Sequence, residues 1–190
     1  MPETTLHTLY LTHEQLREIV RQAQAGAPQE VCGLLAGSGE QIVQVLPMPN
    51  VSPNPKREFT IDPNRLLEAL SNMEAQNLIW LGVYHSHPNS SPRPSPTDIR
   101  EARLNTPKLV QVIVSLRGPE PEVQAWRIEA DSHVYAVELL LGKRHSTRPA
   151  DFSPLQRSAI VFASLIAVLV LVTVSILLLP APPPLPTSSP

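Results

Sequence analysis

Two histidines, a serine and an aspartate cluster in "HSHPNSSPRPSPTD", residues 85 to 98. On an extended strand, side chains at i and i+2 share a face, so His85 and His87 can converge on one metal ion. Such a pair is a weak signal by itself, because histidines at a strand end are commonly plain polar residues. The second half of the stretch has a structural explanation of its own. Ser95-Pro96-Thr97-Asp98 reads as a helix start, with Ser95 as N-cap, Pro96 at the first helical position and Asp98 closing a capping box. The two readings are compatible, since a cap holds Asp98 on the first turn and a fixed carboxylate suits a third metal ligand. Pro88, Pro92 and Pro94 stiffen the connection between the histidines and the helix.

Cysteine usage narrows the chemistry. Cys32 is the single cysteine and no CxxC pair exists, so a metal site here must use histidine and carboxylate. The same count excludes an internal disulfide and suits a reducing compartment. Cys32 lies in an apolar run and reads as packing, not as a nucleophile. Ser86, between the two histidines, points to the opposite face of the strand and reads as structural. His7, His13, His133 and His145 have no partner at ligand spacing. With 15 basic and 17 acidic residues the net charge is −2, which provides no basic field to draw in nucleic acid.

The elements that must hold these residues alternate between strand and helix patterns. "LHTLYLT" (6–12) reads as a strand, and Thr12 caps a helix to about Ala25 with Leu16, Ile19 and Val20 on one face. "VCGLLAG" (31–37) reads as a buried strand with "QIVQVLPMPN" as its neighbour, and "REFTID" (57–62) as another strand. Asp62-Pro63 opens a helix with Leu66, Leu67 and Leu70 as its apolar stripe. "NLIWLGVYHSH" (77–87) is a long strand ending at the histidines, and a short helix starts near Ser95. "LVQVIVSL" (109–116) and "EVQAWRI" (122–128) follow as strands, while "HVYAVELLL" (133–141) fits strand or helix. Trp80 and Trp126 sit in strand patterns and read as core. This alternation predicts a mixed α/β domain over residues 1–142.

The C-terminal part has a different character. Residues 143–157 form a basic tether, and Ser158 to Leu179 run 22 residues without charge, proline or glycine. At about 1.5 Å per residue that is roughly 33 Å, enough to cross a hydrocarbon core of about 30 Å, so the stretch predicts one transmembrane helix. Lys143, Arg144, Arg148 and Arg157 precede it, whereas the proline-rich tail, 180–190, carries no charged side chain. The positive-inside rule then predicts a single-pass tail anchor with the domain on the cytoplasmic side. Ala159, Ala163 and Ala167 form a small-residue face that permits weak homodimerisation.

The stretch matches H-x-H-x7-S-x2-D: His85, His87, Ser95 and Asp98. In this it resembles the JAMM (MPN+) metallopeptidases, in the compact form found in prokaryotes. "PQEVCGLLAG" resembles the family's upstream segment and places its glutamate at Glu30, and "REFTIDP" with the helix after it resembles the middle region. The likeness spans roughly residues 5 to 130. It implies a curved, mainly antiparallel sheet flanked by helices. It also implies one Zn2+ per domain on His85, His87 and Asp98, with a fourth position left for water. Glu30 would then be the general base and acid, and Ser95 would hydrogen-bond the oxyanion. The substrates so implied are conjugates made through the C-terminus of ubiquitin-like or sulfur-carrier proteins. Two other functions stand beside this one: a membrane-tethered scaffold of the same fold without turnover, and a zinc hydrolase of small amides.

Overall fold

The structure, a computed structural model, describes residues 6–106 and 108–143. The predicted membrane span, the tail and all but the first residue of the tether lie outside the described residues, as does the alanine face. Among the described residues no helix is long and apolar enough to cross a membrane.

Among the described residues, seven strands and three helices follow in the order β1 (Thr8–Leu11), α1 (His13–Gly26), β2 (Cys32–Ser38), β3 (Gln41–Met48), α2 (Pro63–Ala75), β4 (Ile79–His87), α3 (Pro96–Asn105), β5 (Val110–Ser115), β6 (Glu122–Ile128) and β7 (Val134–Leu141). The mixed α/β expectation holds, and the ambiguous segment at 133–141 is a strand. Side-by-side order is β1-β3-β2-β4-β5-β6-β7, and β1 pairs with both β3 and β7, so the sheet closes into a barrel. Antiparallel pairing joins β2 to β3 and β4, and β6 to β5 and β7. The β4–β5 pair is parallel, so α3 serves as the crossover between them.

Local chemistry accounts for the helix starts. Thr12 Oγ1 accepts from Gln15 N at 3.2 Å while Gln15 Oε1 accepts from Thr12 N at 2.8 Å, closing a capping box on α1. Asp62 Oδ1 accepts from Asn64 N and Arg65 N at 3.0 Å, with Pro63 on the first turn of α2. Ile19 and Ala23 of α1 join Leu9, Leu35, Tyr84 and Val112 in the main core cluster. Met73 of α2 joins Leu34, Ala36 and Val83 in a second one, on the side of the sheet that carries the histidines.

Three expectations are corrected. The apolar stripe of α2 is Leu66, Ala69, Leu70 and Met73, at the i, i+3, i+4, i+7 spacing of one helix face, whereas Leu67 is 68% exposed. Residues 57–62 are not a strand; only an isolated bridge, Asn50 to Ile61, forms there. The Asn50 side chain replaces the ladder, its Oδ1 accepting from Thr60 N and its Nδ2 donating to Glu58 O. Trp126 is half-buried and not core: its Nε1 donates to Pro92 O at 2.6 Å and the Arg93 guanidinium lies over its ring.

Candidate metal centre

Strand parity brings the two histidines together. His85 and His87 end β4 on one face, opposite the main core cluster, and both are buried. The capping box of α3 supplies the third group. Ser95 Oγ accepts from Asp98 N at 3.2 Å, and Asp98 Oδ2 accepts from Ser95 N at 2.6 Å. His85 Nε2 lies 3.2 Å from His87 Nε2 and 3.6 Å from Asp98 Oδ2, and His87 Nε2 lies 3.3 Å from the same oxygen. Donors bonded at about 2.0–2.1 Å to a tetrahedral cation stand about 3.3–3.4 Å apart, so these three atoms already form one face of such a polyhedron. They form the group among the described residues fitted to hold a metal ion.

The surroundings prepare the ligand atoms. His87 Nδ1 faces Ser91 O at 2.8 Å and so carries the proton, which leaves Nε2 as the metal-facing lone pair. Phe59 stacks on His85 with ring centroids 4.7 Å apart, fixing the imidazole plane. Burial lowers the His85 pKa and keeps the ring neutral, the ligating form. Burial acts to lower His87 too, but hydrogen bonding to Asp98, the Ser91 carbonyl and the charges of Asp98 and Glu30 outweigh it, so its pKa is raised. Burial acts to raise Asp98, yet the two histidines and the Ser95 amide hold its carboxyl well below the usual range.

Glu30 arrives from outside the stretch. Val31 N donates to Ser86 Oγ at 2.9 Å and Ser86 N donates to Val31 O at 3.0 Å, so the residue before β2 is locked to the residue between the histidines. This is the structural role of Ser86. Glu30 itself is only 6% exposed, and its Oε2 has no hydrogen-bond partner among the described residues. Burial pushes its pKa up to about 7; the charge of His87 lowers it, while those of Asp98 and Glu58 raise it further. Cys32, the first residue of the buried run of β2, is pushed up to about 12 by burial, so it remains a thiol. Its burial agrees with the packing reading.

Several residues of the site escaped the sequence reading. Asn50 Nδ2 donates to Glu30 O at 2.9 Å and so sets the backbone that carries the carboxylate. Ser115 Oγ donates to Ser90 O at 2.7 Å, which with the Trp126 bond to Pro92 clamps the loop presenting the Ser91 carbonyl. The "NVSPNP" turn signal at 50–55 was the available clue to Asn50; a backbone carbonyl such as that of Ser91 leaves none.

Residues 12–129 match the family model described as prokaryotic homologs of the JAB domain. The chain belongs to that family. This JAB-domain chain is 41% identical over 102 residues to a probable TtuB-protein conjugate cleaving protease of Thermus thermophilus, across 54% of the chain and 68% of the relative. It is 36% identical over 120 residues to a desampylase of Haloferax volcanii, across 60% of the chain and 85% of that protein. A solution structure of a Desulfitobacterium hafniense protein superposes with a TM-score of 0.64 at 32% identity, covering 74% of this chain and 97% of the other. The expected JAMM/MPN relationship therefore holds at the level of the JAB domain and its mixed α/β fold.

Proposed function

We propose that this chain is a zinc-dependent peptidase or isopeptidase. Its substrates are conjugates formed through the C-terminus of a ubiquitin-like or sulfur-carrier protein, cleaved at the cytoplasmic face of a membrane. The observation that carries the chemistry is the spacing of His85 Nε2, His87 Nε2 and Asp98 Oδ2, 3.2 to 3.6 Å apart, beside the unpartnered Glu30 carboxyl. His85, His87 and Asp98 hold one Zn2+, with histidine and carboxylate donors of the kind that catalytic zinc uses. When bound, the ion supplies Lewis acidity, polarising the scissile carbonyl and making water acidic enough to serve as nucleophile near pH 7. Glu30, with a pKa near 7, accepts the proton of the attacking water through its carboxylate and returns it to the leaving amine. Ser95 Oγ already accepts from Asp98 N, so its own O–H proton is directed elsewhere and donates to the developing oxyanion. Conjugate cleavage is supported by the names of the two relatives, and the membrane by the 22-residue uncharged stretch.

Elemental analysis of the purified full chain, run beside cleavage of a ubiquitin-like fusion protein, tests this. One zinc per chain is expected, with cleavage by wild type, and Glu30→Gln should keep the zinc while losing on the order of a hundredfold or more in kcat. A fully active Glu30→Gln would refute the mechanism. A zinc-loaded wild type that binds conjugates but never cleaves them would point instead to a scaffold. Alkaline extraction of membranes should leave the full chain in the pellet, and recovery in the supernatant would remove the anchor from the proposal.

A further inference from the structure

The loop between the histidines and α3 is tied down at three successive carbonyls. Ser115 Oγ donates to Ser90 O at 2.7 Å, and Trp126 Nε1 donates to Pro92 O at 2.6 Å. Between them, Ser91 O receives both the Arg93 amide and His87 Nδ1, each at 2.8 Å. Pro92 and Pro94 flank Arg93, and the ring that follows keeps Arg93 itself extended. Arg93 therefore stands on a stiff support, one shared carbonyl away from His87.

The charge on its side chain is only partly used. Arg93 is exposed, and its guanidinium lies over the Trp126 ring, 5.5 Å from the ring centre. It forms no ion pair among the described residues. Arg100, on α3, pairs instead with Glu101 at 3.2 Å. Glu122 shares the Trp126 face of β6, but its Oε1 lies against Gly118 in the β5–β6 turn. A leucine would cover the indole as well as an arginine does. Stacking an arginine there fixes the guanidinium plane and leaves its in-plane N–H groups free, the geometry that grips a carboxylate through two parallel bonds.

The sheet sets how far this point stands from the histidines. Val83, Gln111 and Trp126 form one row across β4, β5 and β6, on the face that carries His85 two residues further along β4. Two strand spacings across and two residues along make about 12 Å from Trp126 to His85, a span that extended peptide covers in three or four residues. That is too far for the α-carboxylate of a single released amino acid, and it suits an acidic side chain. We propose that Arg93, seated on Trp126, is a specificity-determining residue that binds an aspartate or glutamate side chain of the conjugate, about three or four positions from the cleaved bond. The acid belongs either to the carrier's C-terminal tail or to the chain that bears the acceptor amine. This rests on the peptidase reading only in calling the ligand a substrate.

Binding, not turnover, tests this. Branched peptides join the C-terminus of a short tail to a lysine ε-amine at the centre of an acceptor peptide, so the branch fixes the register. Each carries an uncharged fluorophore and one Glu, or its Gln counterpart, scanned through both arms. They are titrated against the zinc-loaded full chain carrying Glu30→Gln, and anisotropy gives Kd. At a position about three or four residues from the branch, Glu should bind roughly fivefold more tightly than Gln at low salt, and the advantage should fade in about 0.5 M salt. The arm that shows it identifies the source of the acid. Adding Arg93→Gln should bring Glu and Gln within about twofold, Arg93→Lys should keep part of the preference, and Arg93→Glu should reverse it. A preference at no such position, including no measurable binding of any peptide, overturns the assignment, as does a preference that survives Arg93→Gln. If the Arg93-dependent preference holds while wild type cleaves no conjugate, the peptidase reading fails and the anion site stands; cleavage without the preference is the reverse.

Discussion

Replacing Glu30 by glutamine should make the metal-free protein more stable at pH 8 while destroying its activity. The carboxyl's pKa is raised by burial from 4.5 to about 7, so the folded chain holds its proton longer than the unfolded chain does. The sign follows: the stability linked to Glu30 is fully present below pH 4.5 and is lost as pH rises through 7. A displacement of that size corresponds to at most about 3.4 kcal/mol. Relaxation of the surroundings around the ionised carboxylate offsets part of that cost, so about 2 kcal/mol is the expected loss. Glutamine imitates the protonated carboxyl in shape and stays neutral at every pH. Urea unfolding of chelator-treated protein should therefore find Glu30→Gln close to wild type at pH 4.5 and about 2 kcal/mol more stable at pH 8, with unchanged m-values. The difference between variants cancels the opposite contribution of Asp98, whose depressed pKa makes its stabilisation fade only as pH falls. An offset that is the same at pH 4.5 and pH 8 would mean that Glu30 is not held in a desolvated, poorly paired position, and the argument for it as a base tuned to neutral pH would go with it.

Four further outcomes are expected. Asp98→Asn keeps an oxygen to accept from Ser95 N but loses the anionic ligand, so zinc affinity should fall by about a hundredfold, by chelator competition, with helical circular dichroism retained. Ser86→Ala leaves the Val31 amide without its acceptor and should cost about 1–3 kcal/mol in urea unfolding, with a lower kcat because Glu30 loses its anchor. The pair Ser115→Ala and Trp126→Phe releases the loop that presents the Ser91 carbonyl and should weaken zinc binding roughly tenfold without a change in secondary structure. Cys32→Ser should keep its activity, and iodoacetamide should leave wild type uninhibited, since the thiol is buried and stays protonated at neutral pH.

Much of the site is written in short-range rules. Parity alone puts His85 and His87 on one face, and the S-P-T-D pattern alone builds the cap that holds Asp98. Both depend on spacings of two or three residues, where the backbone geometry of strand and helix leaves little freedom. The helix starts at Thr12 and Asp62 were legible for the same reason. Failures arose where a tertiary partner overrode local pattern. Residues 57–62 alternate like a strand, yet the Asn50 side chain takes the hydrogen bonds that a ladder would need. Leu67 looks like part of the α2 stripe, but which face of that helix is covered depends on how it lies against β4, and the face so chosen excludes Leu67.

The sequence by itself determined the shared face of His85 and His87 and the helix caps, because each follows from contacts between near neighbours. Only the tertiary structure decided that Glu30 stands beside the histidines. That depends on Val31 and Ser86, 55 residues apart, exchanging hydrogen bonds across β2 and β4. It also decided the closure of the sheet through β1, the bulge at Leu81 that turns Trp80 to the side of the histidines, and the pairing that sets Trp126 two strands from Val83. Strand register is set by the sum of side-chain packing over both faces, and a slip of one residue exchanges those faces. No local stretch of residues contains that sum, so the pairing that converts a metal clip into a candidate catalyst appears only in the folded chain.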